Sequence, residues 1–164
     1  MVTHRRFSYL AAIAALVVLG VAGAAVATSW NLEGQREREH ELLVVGAEYR
    51  TAIERYVTAA PPGQRQYPRS LHDLVRDPRF PGIVRHIRRL HADPLTGRAE
   101  WGQVTAPDGG IMGVYSLASG RPLKTGGFAL RDARFTAAAT YRDWIFVYRE
   151  RYSGNASELA PANP

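Results

Sequence analysis

The sequence predicts an α+β fold in which one long N-terminal helix packs on a small antiparallel sheet. Three observations lead to this prediction. No proline occurs between residues 1 and 60, and an apolar stripe at helical spacing runs through the second half of that stretch. The run Pro107-Asp108-Gly109-Gly110 separates two apolar segments, as in a β-hairpin. A third segment of aromatic and β-branched residues lies near residue 145.

Length and composition limit the classes of protein to consider. The chain has 164 residues, which corresponds to one domain, and a net charge of +6. The sequence contains no cysteine, which excludes a disulfide scaffold, a thiol nucleophile and a cysteine-ligated metal centre. Only Lys124 is a lysine among the 21 basic residues, so guanidinium groups carry nearly all of the positive charge.

The first half of the predicted helix is apolar on every side. No charged residue occurs from Phe7 to Leu32, and a bilayer core of about 30 Å needs about 20 helical residues. Basic residues precede this segment, and Glu33 is the first charge after it. The positive-inside rule therefore predicts a single-pass protein of the bacterial inner membrane. Residues 1–6 would be cytoplasmic, residues 7–32 transmembrane, and the C-terminal domain periplasmic.

The same segment also fits a cleavable secretory signal. Small residues at Ala25 and Ala27 suit cleavage after Ala27. The apolar stretch is, however, longer than the apolar region of such signals, which typically has about 7–15 residues. Cleavage there would release a soluble periplasmic binding module, which is the alternative function that the sequence leaves open. A periplasmic enzyme anchored by the helix is a further alternative, but it needs a polar cluster that the sequence does not display.

Residues 33–60 continue the helix with one apolar stripe. Its members recur at spacings of three and four, and they are Leu42, Val45, Tyr49, Ile53 and Tyr56. We place Arg50 on the opposite face of the helix. Glu39, Glu41, Glu48 and Glu54 are expected on a charged, solvent-facing side of the helix that alternates with arginine, where carboxylates stay ionised. Gly34 and Gly46 are expected to weaken the helix by about 1 kcal/mol each. A separate second helix after a kink near Gly34 is the alternative.

Residues 61–152 form the rest of the predicted domain, and residues 153–164 resemble a frayed tail. Ser70 is a good N-cap for a short helix, with Asp73 three residues later as in a capping box. The run Asp93-Pro94-Leu95-Thr96-Gly97 predicts a turn. Strands are predicted at Glu100–Thr105, Ile111–Leu117 and Trp144–Arg149, and helical segments at Ile83–Leu90 and Ala133–Thr140.

Several segments carry a family resemblance, of which the most specific lie within residues 33–56, 67–77 and 93–102. They are Arg6-Phe7-Ser8-Tyr9-Leu10, Gln35-Arg36-Glu37-Arg38-Glu39, the stretch from Tyr49 to Tyr56, Tyr67-Pro68-Arg69-Ser70-Leu71-His72-Asp73-Leu74, Asp93-Pro94-Leu95-Thr96-Gly97 and Glu100-Trp101-Gly102. Together with the long helix they resemble the pseudopilins of type II secretion and type IV pilin systems, and in particular the major-pseudopilin branch. The resemblance implies a pilin-like fold and a structural role without enzymatic activity or a cofactor. It also implies similar pilin-like subunits and inner-membrane secretion components as partners.

The resemblance further implies where the chain is processed and how it assembles. Prepilin peptidase would cut between Arg6 and Phe7, although Arg6 replaces the family's glycine and Ala11 stands where the family has glutamate. The family's C-terminal calcium loop has no recognisable match. Subunits would associate through Phe7–Thr28, whose small residues allow close approach of helices. The expected packing positions are Leu10, Ala14, Leu16, Val17 and Gly20.

Arginines are concentrated in one part of the domain. Eight lie between residues 65 and 98 against three aspartates, and we single out Arg85, Arg88 and Arg89 as a patch for an anionic partner. The predicted topology argues against nucleic acid and favours anionic lipid headgroups or an acidic partner surface. A solvated arginine-rich face without a ligand is an equal alternative.

Histidines offer little prospect of a metal site. His86 and His91 are five residues apart, about 140° around a helix, so they would not share a face. The sequence contains no nucleophile elbow, Walker loop, dinucleotide fingerprint or zinc-protease motif. We therefore expect neither a metal nor a catalytic site.

Overall fold

The computed structural model describes residues 3–61 and 63–149, with the helix backbone alone for residues 3–15 and 17–31. This part of the chain is α+β, as predicted. Its helices are α1 (Thr3–Thr58) and α2 (His72–Val75), and its strands are β1 (Gly102–Thr105), β2 (Ile111–Tyr115) and β3 (Phe146–Val147). Two 3₁₀ helices span Leu130–Ala137 and Tyr141–Asp143.

Helix α1 is continuous through Gly34 and Gly46, so the alternative of two separate helices is wrong. Its 56 residues correspond to a length of roughly 84 Å. The stripe that was predicted to face the domain is buried, and Leu42, Tyr49 and Ile53 have no exposed surface. Burial of this stripe confirms that residues 33–57 of the helix form one side of the core.

The predicted membrane localisation is wrong. Across the part of the chain that the structure describes, no helix combines the length and the apolar character needed to cross a membrane. This finding contradicts the predicted single-pass localisation in the bacterial inner membrane with a periplasmic domain. Apart from Leu16 and Leu32, the side chains of the uncharged segment on which that prediction depended lie outside the described residues.

The sheet is antiparallel with the strand order β1-β2-β3. Gly102 pairs with Tyr115 in the β1–β2 hairpin, and a bulge between Val104 and Thr105 bends its end. Gly109 has φ of +80°, a conformation that favours glycine, and closes the turn. The hairpin prediction is confirmed. All three strands lie inside their predicted ranges but are shorter.

Helix α1 packs on β2 and β3, and aromatic side chains fill the space behind them. A Cβ atom on Gly46 would lie 2.5 Å from the ring of Phe146, so the helix approaches β3 closely only because residue 46 is glycine. Gly46 is therefore a packing requirement rather than a weak point. The stacked and edge-on rings of this cluster belong to Phe128, Phe135, Tyr141, Trp144 and Phe146.

Local side-chain hydrogen bonds fix the segments between helix and sheet. Asp73 accepts hydrogen bonds from the backbone N–H groups of Arg69 and Ser70, and the Ser70 hydroxyl accepts from the His72 N–H at 3.2 Å. The N-cap of α2 is Leu71, one residue later than predicted, and it has no side-chain cap. Asp93 is buried in the predicted turn, where its carboxylate accepts from the Ser116 hydroxyl at 2.7 Å and from the Leu95 N–H at 2.9 Å. That turn is confirmed, and it leads into β1.

The predicted helix at Ile83–Leu90 is wrong. The N–H groups of His86 and Ile87 both donate to the carbonyl of Leu74, at 2.8 and 3.1 Å, instead of to carbonyls four residues earlier. The segment therefore lies against the end of α2 as irregular chain. The other predicted helical segment is a 3₁₀ helix that begins three residues early, at Leu130.

Candidate functional site

The N-terminal half of α1 was predicted to be the assembly surface. Leu16 is 70% exposed on this half. The side chains of Leu10, Ala14, Val17 and Gly20, and those of the proposed processing pair Arg6 and Phe7, lie outside the described residues.

Gln35 of α1 forms side-chain hydrogen bonds to the domain. Its amide donates to the Tyr141 hydroxyl at 2.7 Å and, less closely, to the carbonyl of Arg121 at 3.4 Å. Tyr141 lies in the 3₁₀ helix ahead of β3. Residues from Gln35 onward therefore attach the helix to the C-terminal part of the domain.

Glu39 is the central polar residue at this attachment, with only 2% of its surface exposed. One carboxylate oxygen accepts hydrogen bonds from the Leu123 N–H and the Tyr141 hydroxyl, both at 2.6 Å. The other oxygen accepts from the Lys124 N–H at 3.0 Å. The prediction that Glu39 lies on a solvated face is wrong, because this carboxylate holds residues 123–124 against the helix.

A signal for the burial of Glu39 was present in the sequence. Glu39 lies three residues before Leu42 and seven before Gly46, so it continues the buried stripe by one turn.

Burial and the hydrogen bond to Glu39 raise the pKa of Tyr141 to about 12. The raised pKa keeps the hydroxyl a hydrogen-bond donor to the carboxylate even at alkaline pH, where an ordinary tyrosine begins to ionise.

Arg50 and Asp132 form a second polar link between α1 and this part of the domain. The Arg50 guanidinium donates to the Asp132 carboxylate at 2.5 Å, and both residues are buried. Arg50 also lies 5.5 Å from the centre of the Phe146 ring. The predicted position of Arg50 on the solvated face is thus also wrong. Together with Glu39, this pair fixes residues 123–132 to the helix.

A groove of about 820 Å³ lies between α1 and residues 123–132. Val44 and Phe128 contribute apolar surface, and Lys124 lies 5.1 Å from the centre of the Phe128 ring. Arg36 and Arg131 add positive charge to the lining. Because Glu39 and Asp132 are engaged with their own partners, the groove presents apolar surface beside cations.

Asp77, Arg79 and His86 form a further polar cluster, in which Asp77 and His86 are buried and Arg79 is half-buried. The Asp77 carboxylate accepts from the Arg79 guanidinium at 2.6 Å and lies 2.9 Å from Nε2 of His86. Burial alone would raise the pKa of Asp77, but the hydrogen bonds from Arg79 and His86 outweigh it and lower the pKa to about 2. Arg79 also donates to the Tyr56 carbonyl at 2.6 Å, so this cluster joins the end of α1 to the segment after α2.

The histidines do not converge on one point. His72 is exposed on α2, His86 faces Asp77, and Nε2 of His91 lies 3.2 Å from the carboxylate of Glu48. Among the residues that the structure describes, no group of three or more histidine, aspartate or glutamate side chains is arranged to hold a metal ion.

The predicted patch of Arg85, Arg88 and Arg89 is exposed, but its members do not share one site. Arg85 and Arg88 line a concavity together with Arg55 from α1 and His86. Arg89 is outside the lining of that concavity. Sequence reasoning missed Arg55 because tertiary packing brings it beside residues 30 positions later in the chain.

No family model matches the chain, and neither a curated protein nor a solved structure matches it. The resemblance to pseudopilins therefore depends on the sequence segments named above and on the layout of one long helix against a small sheet.

Proposed function

We propose that the chain is a structural, pilin-like subunit of a type II secretion or type IV pilus-type apparatus. It associates with similar subunits through the N-terminal half of α1. One observation carries the proposal: Leu16, in the N-terminal half of α1, is 70% exposed. It is an apolar side chain that a neighbouring helix would cover.

The attachment of the domain to the helix suits such a subunit. A subunit held by its helix must carry its domain as one body. Glu39 and Arg50 supply buried polar links from α1 to residues 123–132, and Gly46 lets β3 pack directly on the helix. Displacing the helix would break these links together, so helix and domain are expected to move as one unit.

Site-specific photo-crosslinking in the native host tests the proposal. A photo-reactive amino acid replaces Leu16 in the full chain, and the matched control carries it at Ile83, which is 71% exposed on the domain. We expect crosslinks to pilin-like subunits from position 16 and few from position 83. Equal crosslinking from both positions would contradict assembly through the helix.

A charge on the helix gives a second readout. Leu16→Glu is expected to abolish association with similar subunits, because a carboxylate in an apolar helix contact is costly. Ile83→Glu is the control and should leave association unchanged. Normal assembly of the Leu16→Glu chain would refute the proposed contact.

The second candidate function is a soluble binding module, and the groove between α1 and residues 123–132 favours it. A three-stranded sheet was expected to leave little room for a ligand, yet this groove measures about 820 Å³, within the range of ligand sites. Intact mass and N-terminal sequencing of the protein from its native host separate the two candidates. A chain that begins at Met1 or Phe7 retains the assembly helix, whereas one that begins at Thr28 has lost it.

A further inference from the structure

A concavity between α1 and the irregular segment after α2 concentrates positive charge. Its volume is about 500 Å³. Arg55 lines it from α1, and Arg85 and Arg88 line it from the opposite side. His86 and Thr51 also contribute to its wall. This concavity is separate from the N-terminal half of α1 on which the proposed assembly depends.

Among the residues that the structure describes, the guanidinium groups of Arg55, Arg85 and Arg88 form no ion pair, whereas Arg79 is bound to Asp77. Glu48 is the one carboxylate in the lining, and it lies 3.2 Å from His91. Mutual repulsion of unpaired cations around one concavity makes it a favourable place for an anion.

One wall of the concavity is held in place before any ligand arrives. Nε2 of His86 lies 2.9 Å from the buried carboxylate of Asp77, and the His86 ring packs edge-on against Tyr56. The backbone N–H groups of His86 and Ile87 are both bonded to the Leu74 carbonyl. Little ordering of this wall is needed on binding, which favours affinity.

We propose that this concavity binds a phosphate-bearing anion, either a free phosphate ester or a phospholipid headgroup. A guanidinium group pairs with phosphate oxygens through two parallel hydrogen bonds. The three guanidinium groups of the concavity carry more positive charge than its single carboxylate can neutralise. The volume lies within the range of small-ligand sites, which leaves space for the organic part of a phosphate ester.

Calorimetric titration of the full chain with inorganic pyrophosphate at constant ionic strength tests the site. We expect saturable binding that weakens by about tenfold or more in Arg85→Gln and in Arg88→Gln. Arg89→Gln is the matched control, because it removes the same charge from an exposed neighbour outside the concavity. Its affinity should stay within about twofold of the wild type. Thermal melts of all three variants check that the exposed substitutions leave the fold intact.

Vesicles distinguish the two sources of phosphate. A phospholipid headgroup is the ligand if the chain is retained on vesicles that contain phosphatidylglycerol but not on vesicles of phosphatidylcholine alone. In that case pyrophosphate should compete with the vesicles, and Arg85→Gln should abolish the retention. Pyrophosphate binding without vesicle retention identifies a free phosphate ester. The proposal is overturned if pyrophosphate shows no saturable binding. It is also overturned if Arg89→Gln weakens binding as much as Arg85→Gln, because the attraction would then come from general surface charge.

Discussion

The carboxylate of Glu39 and the hydroxyl of Tyr141 lie 2.6 Å apart, although 102 residues separate them in the chain. Both residues are buried between the long helix and the 3₁₀ helix that precedes β3. The same carboxylate also accepts the N–H groups of Leu123 and Lys124. One side chain of α1 therefore determines how two separate parts of the domain sit on the helix.

Glu39→Gln is expected to lower the free energy of unfolding by about 2 to 3 kcal/mol, because an amide nitrogen would face a backbone donor. Tyr141→Phe, which removes one of three donors, should cost about 1 kcal/mol. Urea denaturation measures both values. Glu41→Gln is the matched control on the same helix and is exposed, so it should change stability by less than about 0.5 kcal/mol. Equal losses for Glu39 and Glu41 would contradict the buried network.

Removing one member of the Arg50–Asp132 pair should destabilise the fold more than removing both. Asp132→Asn leaves a buried guanidinium without its charge partner and is expected to cost about 3 kcal/mol. The double variant Arg50→Met with Asp132→Leu should be close to the wild type. A double-mutant cycle by urea denaturation gives the coupling energy. Additive losses would show that the pair contributes nothing as a pair.

Alanine should have opposite effects at two glycines of the same helix. At Gly46 a Cβ would lie 2.5 Å from the Phe146 ring, so Gly46→Ala is expected to cost about 1 to 3 kcal/mol. At Gly34 no atom lies within 4 Å of the added Cβ apart from the neighbouring backbone of the helix itself, so Gly34→Ala should stabilise the chain by up to about 1 kcal/mol. Thermal melts of the two variants give the comparison. Stabilisation by both substitutions would rule out the close approach of β3.

Asp77 should make stability depend on acid pH. Its folded-state pKa of about 2 lies below the ordinary value of 3.8, so the folded chain binds this proton less readily than the unfolded chain. The resulting stabilisation of about 2 kcal/mol is complete above about pH 4 and is lost as the pH falls towards 2.

Urea denaturation of the wild type and Asp77→Asn over this range measures the effect. The difference in stability between the two proteins should shrink as the pH falls. Glu54→Gln, at an exposed position of α1, serves as the control. A difference that stays constant from neutral pH to pH 2 would contradict the lowered pKa.

Patterns within short stretches of sequence predicted the elements of this fold well. The spacing of Leu42, Tyr49 and Ile53 predicted the buried face of α1, since periodicity reports which residues point the same way. The turn residues around Gly109 predicted the β1–β2 hairpin. These signals are local, and each depends on neighbours a few residues apart.

Other features could not be predicted because partners distant in the chain create them. The three donors to Glu39 lie more than 80 residues away, and Arg55 joins Arg85 only through tertiary packing. The segment Ile83–Leu90 has apolar residues at helical spacing, but the Leu74 carbonyl captures two of its N–H groups. Hydrogen bonding to this carbonyl, which lies outside the segment, replaced the helical hydrogen bonds that the spacing of apolar residues predicts.

The distance along the chain between the two sides of the core also determines when the domain can form. Residues 33–57 are synthesised early, whereas Phe146, which covers Gly46, is synthesised about 90 residues later. At roughly 5–20 residues per second, the ribosome needs about 5 to 20 s to reach it. Until β2 and then β3 have been synthesised, the apolar face of the nascent helix lacks the complete sheet that covers it in the folded chain. A chaperone acting during translation would therefore encounter the helix first, before a folded domain exists.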